Sequence, residues 1–227
     1  RKLSVAFYGY PFAVVAPTGL QASGHLGLHR LLQSPDVDVL CSPVSYLDRG
    51  IGGGGYFMAP VDSVHLHGKL WLVEDDTRTH LAAPDSGYGR LSDVRQTRGV
   101  LARNFGHIAT RGTAVWWMDL PGQGWFAGEE MWQYLSILQR AYAGALAEPV
   151  PYHPEIAVIV DENSPLYGAP DSNVLFPLLY QFRTEWYRIG APTGIYLLDD
   201  LVAGAVPPAK FTIILNAFRL SVAQIEA

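Results

Sequence analysis

The chain has few of the residues that staple or charge a protein. It holds one cysteine, Cys41, among 227 residues, which excludes an internal disulfide and a zinc cluster made of cysteines alone. Charged side chains are only 16% of the sequence, and Lys and Arg form no cluster. The formal charge of −5, from 16 basic and 21 acidic residues, argues against a nucleic-acid partner or an anionic membrane surface. No apolar run approaches the roughly 20 residues that a membrane-spanning helix needs. No signal peptide is visible, so the expected compartment is the cytoplasm. The sequence opens with Arg1-Lys2 and closes on "LSVAQIEA", the first turns of a helix. Both ends read as those of a fragment of a longer protein.

Apolar residues are plentiful instead. A hydrophobic share of 49% supports a sizeable core and excludes long disorder. Runs of strand length recur: "LSVAFYGY" (3–10), "VDVLCSP" (37–43), "KLWLVED" (69–75) and "TAVWWMDL" (113–120). Helical segments separate them, at 23–34, near 60–66, near 92–109 and at 128–146. In the first of these, Leu26, Leu28, Leu31 and Leu32 suit one helical face, with Ser23 as a candidate cap. The strands are apolar along their whole length rather than alternating, which fits parallel strands covered on both faces.

Three prolines crowd residues 147–154, "AEPVPYHP", and mark a domain boundary. The expected domains are therefore 1–148 and 149–227. Beyond the prolines, "EIAVIVDE", a helix near 173–189, "PTGIYLLDD" and "FTIILNAF" form a second βαβ pattern.

In parallel α/β folds the chemistry lies where strands end. Here the ends carry Tyr8 and Tyr10, then Tyr46, then Glu74-Asp75-Asp76, then Trp116, Trp117 and Asp119, with Trp125 close behind. Aromatic rings stack on the C–H faces of sugars, and carboxylates bond hydroxyls or perform acid, base and nucleophilic work. Alternation along 69–75 puts Leu70, Leu72 and Glu74 on one side and Trp71, Val73 and Asp75 on the other. Asp75 is then expected to face the helices and pair with Arg78.

Each feature also has a plainer reading. An acidic block after a strand is often a helix cap, and a strand-end aromatic is often packing. His25 and His29, four apart on the expected helix, read as surface or capping residues, and His65 and His67, alternating on an extended segment, lack a third ligand. No metal and no cofactor are expected. The run "GGGG" at 52–55 lacks the spacing of a phosphate cradle and reads as a flexible loop.

The stretch "VAFYGY…SGHLGLHRLLQSPDVDVLCSPVSYLDR…HGKLWLVEDDTRTHL…AVWWMDLPGQGWF" resembles the second half of a clan A glycoside hydrolase barrel, closest to the family 42 β-galactosidases. "PEIAVIVDENSPLYG…YLLDDLVAG…KFTIILNAFRLS" resembles the start of that family's flavodoxin-like trimerisation domain. The resemblance implies an α/β chain holding strands five to eight of a (β/α)8 barrel, then a truncated flavodoxin-like domain. It implies a retaining β-glycosidase acting on β-galactosides or related sugars, and a homo-oligomer, a trimer by likeness.

On this reading Glu74 is the nucleophile, Tyr46 orients it and Arg78 offsets the clustered charge. Tyr8, Tyr10, Asp75, Asp76, Trp116, Trp117 and Trp125 contact the sugar, and Asp75 is the alternative nucleophile if the strand register slips by one. The acid/base Glu that such enzymes carry earlier in the barrel has no counterpart, so the chain alone is expected to be inactive. Two other readings remain open: a non-catalytic carbohydrate-binding relative, and an unrelated α/β protein using Cys41 as a nucleophile beside His25.

Overall fold

A computed structural model describes residues 2–12, 24–169 and 173–227. Its first elements are β1 (Val5–Phe7), α1 (Leu28–Leu32), β2 (Val39–Pro43), α2 (Val61–Leu66), β3 (Leu70–Asp75), α3 (Val94–Arg111), β4 (Ala114–Trp117) and α4 (Glu129–Ala147). There follow β5 (Ile156–Val160), α5 (Phe182–Arg188), β6 (Thr193–Leu197), α6 (Leu198–Val202), β7 (Phe211–Ile214) and α7 (Val222–Glu226). A four-stranded sheet runs in the order β1-β2-β3-β4 and a three-stranded one in the order β6-β5-β7. The strands pair in parallel in both. The chain is α/β, as the alternation of apolar runs and helical segments predicts.

Two compact units divide the chain. One comprises Arg1–Ser42, Met58–Trp71 and His153–Ala227, the other Pro43–Phe57 and Leu72–Tyr152.

In the first unit β5 and β6 are buried along their whole length. Ala157, Ile159, Tyr196 and Leu198 form a core against which Leu201, Val202 and Val206 pack. As an edge strand β6 leaves N–H groups without a strand partner, and α2 supplies acceptors for them. The Ile195 N–H donates to Asp62 Oδ2 at 2.8 Å and the Leu197 N–H to Ser63 Oγ at 2.7 Å.

The short helix α1 is anchored in the same manner. Its first N–H groups have no partner within the helix, and the Glu162 carboxylate accepts from Gly27, Leu28 and His29 at 2.8, 2.5 and 2.9 Å. Burial raises the Glu162 pKa and these three bonds oppose it. The expected cap Ser23 lies outside the described residues, and Gly27 precedes the first helical turn.

In the second unit α3 and α4 close over Ala82, Leu101, Trp125, Phe126, Met131, Leu135 and Leu138. Helix α3 begins where its N-cap Asp93 accepts the Gln96 N–H through Oδ1 at 2.8 Å, and Gln96 Oε1 accepts the N–H of Ser92, one residue before the cap, at 3.1 Å.

The glycine run corrects an expectation. It is a clamped turn rather than a flexible loop, and residues 54 and 55 are buried. Arg103 Nη1 donates to the Gly50 and Gly53 carbonyls at 2.9 Å, and His107 Nε2 bonds the Gly54 carbonyl at 2.8 Å. A Cβ at Gly53 would strike the Asp48 carbonyl, and one at Gly55, where φ is +58°, would strike the Arg103 guanidinium. Glycine is needed here because backbone and guanidinium occupy the space of a side chain. Burial lowers the His107 pKa to about 4, so the ring is neutral near pH 7.

The edge contact gives a first prediction. Asp62→Ala leaves a buried N–H unpaired and is expected to lower stability by about 1–3 kcal/mol in urea unfolding. Asp62→Asn, which keeps an acceptor oxygen, is expected to lose less.

Candidate functional site

The end of β3 distributes three consecutive carboxylates to three environments. Period-two alternation sends Trp71, Val73 and Asp75 inward, at 0%, 3% and 1% exposure, and leaves Leu70 41% exposed on the other face. Asp75 Oδ2 accepts from Asn104 Nδ2 on α3 at 3.0 Å, while Oδ1 accepts from the Thr77 N–H at 3.2 Å and hydroxyl at 2.5 Å. Complete burial raises the Asp75 pKa, and these bonds from Thr77 and Asn104 work against it. Asp75 thus ties strand to helix.

Asp76 is fully buried between two guanidinium groups, 2.8 Å from Arg49 Nη2 and 2.5 Å from Arg78 Nη1. Arg49 also donates from Nε to the Ser45 carbonyl at 3.1 Å and from Nη2 to that of Val44, and lies over the Tyr46 ring at 4.4 Å. The Arg78 guanidinium stands 4.9 Å from the rings of both Tyr88 and Trp125. Delocalised guanidinium groups suit this double duty, bonding carboxylate at the edge and aromatic ring at the face.

Two expectations change here. Arg78 pairs with Asp76 rather than Asp75, because alternation carries Asp75 to the helical side where Asn104 meets it. The Tyr46 hydroxyl donates to Asp76 Oδ2 at 3.5 Å rather than to Glu74. Burial, then the Asp76 charge, raises the Tyr46 pKa.

Glu74 differs from both neighbours. It is 6% exposed, and its carboxylate has no hydrogen-bond partner among the described residues. Burial raises its pKa most and the Asp76 charge adds to this, while Arg49 and Arg78 pull it down. The strand end thus presents one carboxylate without a hydrogen-bond partner among the described residues beside a buried ion cluster.

The tryptophans separate by register. Glu74 pairs with Trp116 and Asp75 with Trp117, and in-register neighbours share a face of the sheet. Trp116, 39% exposed, is therefore on the Glu74 face. Trp117 packs against the core of the second unit, and Trp125 is a member of that core, so both serve as packing rather than as open sugar contacts. Asp119 accepts from the Gly124 and Trp125 N–H groups at 2.5 and 3.0 Å, which closes the turn behind β4.

Tyr8 and Tyr10 belong to the other unit and flank His25, with ring centroids 5.5 and 3.7 Å from it. The Tyr8 hydroxyl donates to the Leu26 carbonyl at 2.5 Å. Burial, then Glu162, raises its pKa. Cys41 is fully buried inside β2, which removes it as a presented nucleophile.

Sequence spacing gave no signal for Arg49 or Asn104, which reach the acidic block only through folding. Nor did it foresee a second grouping, in the first unit. His25 precedes α1 rather than sharing it with His29, and 61–66 is helical, as expected near 60–66, so that His65 lies in the helix and His67 at its end rather than on an extended segment. Ligand atoms of His29, His67 and Asp200 lie within 4.8 Å of one another, the one such group of metal-ligating type among the described residues. Searches against protein-family models, curated proteins and solved structures return no match.

Two predictions follow from this electrostatic arrangement. Arg49→Met leaves Asp76 buried with one cation and is expected to cost about 3–5 kcal/mol by urea unfolding, with Arg49→Lys intermediate. For Glu74, the folded pKa lies above the ordinary 4.5, so the folded state binds more protons above that pH. Its burial therefore destabilises increasingly as pH rises from 4.5. Glu74→Gln is expected to raise the urea midpoint at pH 7 and to lose this advantage at low pH.

Proposed function

We propose that this chain carries the nucleophile side of a retaining β-glycosidase site that acts on β-galactosides or related sugars. The observation that carries the reading is Glu74, a nearly buried carboxylate without a hydrogen-bond partner among the described residues, at the C-terminal end of a parallel strand. Catalytic residues of barrels gather at these ends. The consecutive order β1-β2-β3-β4 is that of neighbouring barrel strands, and the order β6-β5-β7 matches the opening of a flavodoxin-like sheet. Both orders support half a barrel followed by the start of a flavodoxin-like domain, and with it an oligomer.

In the proposed reaction a Glu74 oxygen attacks the anomeric carbon as the bond to the leaving oxygen breaks, forming a glycosyl ester that water then hydrolyses. Arg49 and Arg78 favour the ionised nucleophile against burial and the Asp76 charge. Trp116 supplies an aromatic face for the sugar. Retention requires a second carboxyl about 5–5.5 Å away to protonate the leaving group. Asp75 is engaged by Thr77 and Asn104, and Asp76 by two arginines, so neither is free for that role. The acid is contributed from outside these strands, and this chain alone does not hydrolyse glycosides.

The test is a 2-deoxy-2-fluoro-β-galactoside bearing a dinitrophenolate leaving group, which departs without an acid's help. Applied to the longest gene product containing this chain, it is expected to leave a covalent label on the peptide holding Glu74, absent in Glu74→Gln. A label on Asp75, or a folded protein with no label, would overturn Glu74 as the nucleophile. Sugar binding without labelling would indicate a carbohydrate-binding relative instead.

A further inference from the structure

Three side chains distant in sequence converge in the first unit. His67 Nε2 lies 2.8 Å from Asp200 Oδ1, and His29 Nε2 lies 3.7 Å from the same oxygen. The two imidazole rings meet edge-on, with centroids 5.4 Å apart. The Asp200 side chain is 2% exposed, and the histidines keep 22% and 20% exposure. The second carboxylate oxygen, Asp200 Oδ2, is buried with no hydrogen-bond partner among the described residues. A buried carboxylate oxygen without a partner is costly.

We propose that His29, His67 and Asp200 form a binding site for a divalent first-row transition ion, with Zn2+ the best fit. Two imidazole nitrogens and one carboxylate oxygen are a donor set that such ions favour, and three protein ligands leave a position for water. Tetrahedral bonds of about 2.0–2.1 Å set ligand atoms about 3.3 Å apart. The observed 2.8 and 3.7 Å to Asp200 Oδ1 bracket that edge, and all three ligand atoms lie within 4.8 Å of one another. An ion bound to Oδ1 would also offset the charge of this buried carboxylate.

Each ligand stands on an anchored piece of backbone. The His29 N–H is held by Glu162 Oε1 at 2.9 Å, which fixes the first turn of α1. His67 ends α2, whose other end is bonded to β6 through Asp62 and Ser63. Asp200 lies in the first turn of α6, which directly follows β6. Outer groups that fix the ligands' orientation are what distinguish a built metal site from a chance grouping. An ion here would join α1, α2 and α6 and add its binding free energy to the stability of the folded unit.

The test is isothermal titration of Zn2+ into tag-free, chelator-treated chain near neutral pH, paired with thermal unfolding and Co2+ absorption. The expected result is one ion per chain, a melting temperature raised by Zn2+ and returned by chelator, and the intense visible bands of low-coordinate Co2+. His67→Gln and Asp200→Asn are each expected to weaken binding by roughly 100-fold or more, and Glu162→Gln, which only positions His29, by roughly 10-fold. His29→Gln keeps the test decisive if the Asp200 variant fails to fold, since its side chain is partly exposed. Substoichiometric binding by the unaltered chain would overturn the proposal. So would full binding that survives in His29→Gln and His67→Gln.

Discussion

Asp76 is a carboxylate without access to water, held between the guanidinium groups of two arginines. Removing a carboxylate from water costs several kcal/mol, and the attraction of a cation recovers this only where geometry is good and the remaining donors are satisfied. Arg49 donates further to the carbonyls of Val44 and Ser45 and Arg78 to that of Asp76 itself, while Arg49 Nη1 and Arg78 Nε stay buried without a hydrogen-bond partner among the described residues. One ion cluster therefore joins the end of β3 to the segment that follows β2. The tyrosines and tryptophan around the guanidiniums keep water out of it.

That cluster also defines what Glu74 is. A carboxylate beside a buried anion and two buried cations feels opposing fields, and burial decides the balance. Its neighbours are committed, Asp75 to helix α3 and Asp76 to the arginines. The same chemistry appears three times in a row with three outcomes, set by which side of the strand each residue faces and what waits there.

Elsewhere the fold relies on side chains that take over backbone hydrogen bonds. Glu162 completes the start of α1, Asp62 and Ser63 cover the edge of β6, and Arg103 gathers the carbonyls of the glycine turn. Short helices of five or six residues are marginal by themselves, and such long-range bonds hold them. The same anchoring brings His29, His67 and Asp200 to one point, where each would otherwise be an ordinary polar residue at a helix end.

The sequence by itself determined the α/β class and the sites of nearly all its elements. Period and apolar content are local properties, and the runs at 37–43, 69–75 and 155–162 became β2, β3 and β5 with only their ends trimmed. Alternation along 69–75 also separated Glu74 from Asp75 correctly, because the two-residue period of a strand needs no tertiary information. Partners could not be read in this way. Arg49 reaches Asp76 across 27 residues and Asp62 reaches Ile195 across 133, and nothing in local patterning encodes such meetings. The glycine run looked loose because composition reports conformational freedom and not the groups packed around it. Tertiary structure alone decided that Trp117 turns to the core while Trp116 stays on the Glu74 face, that Arg78 answers Asp76, and that two histidines and an aspartate converge, since each depends on which distant segment the sheets bring alongside.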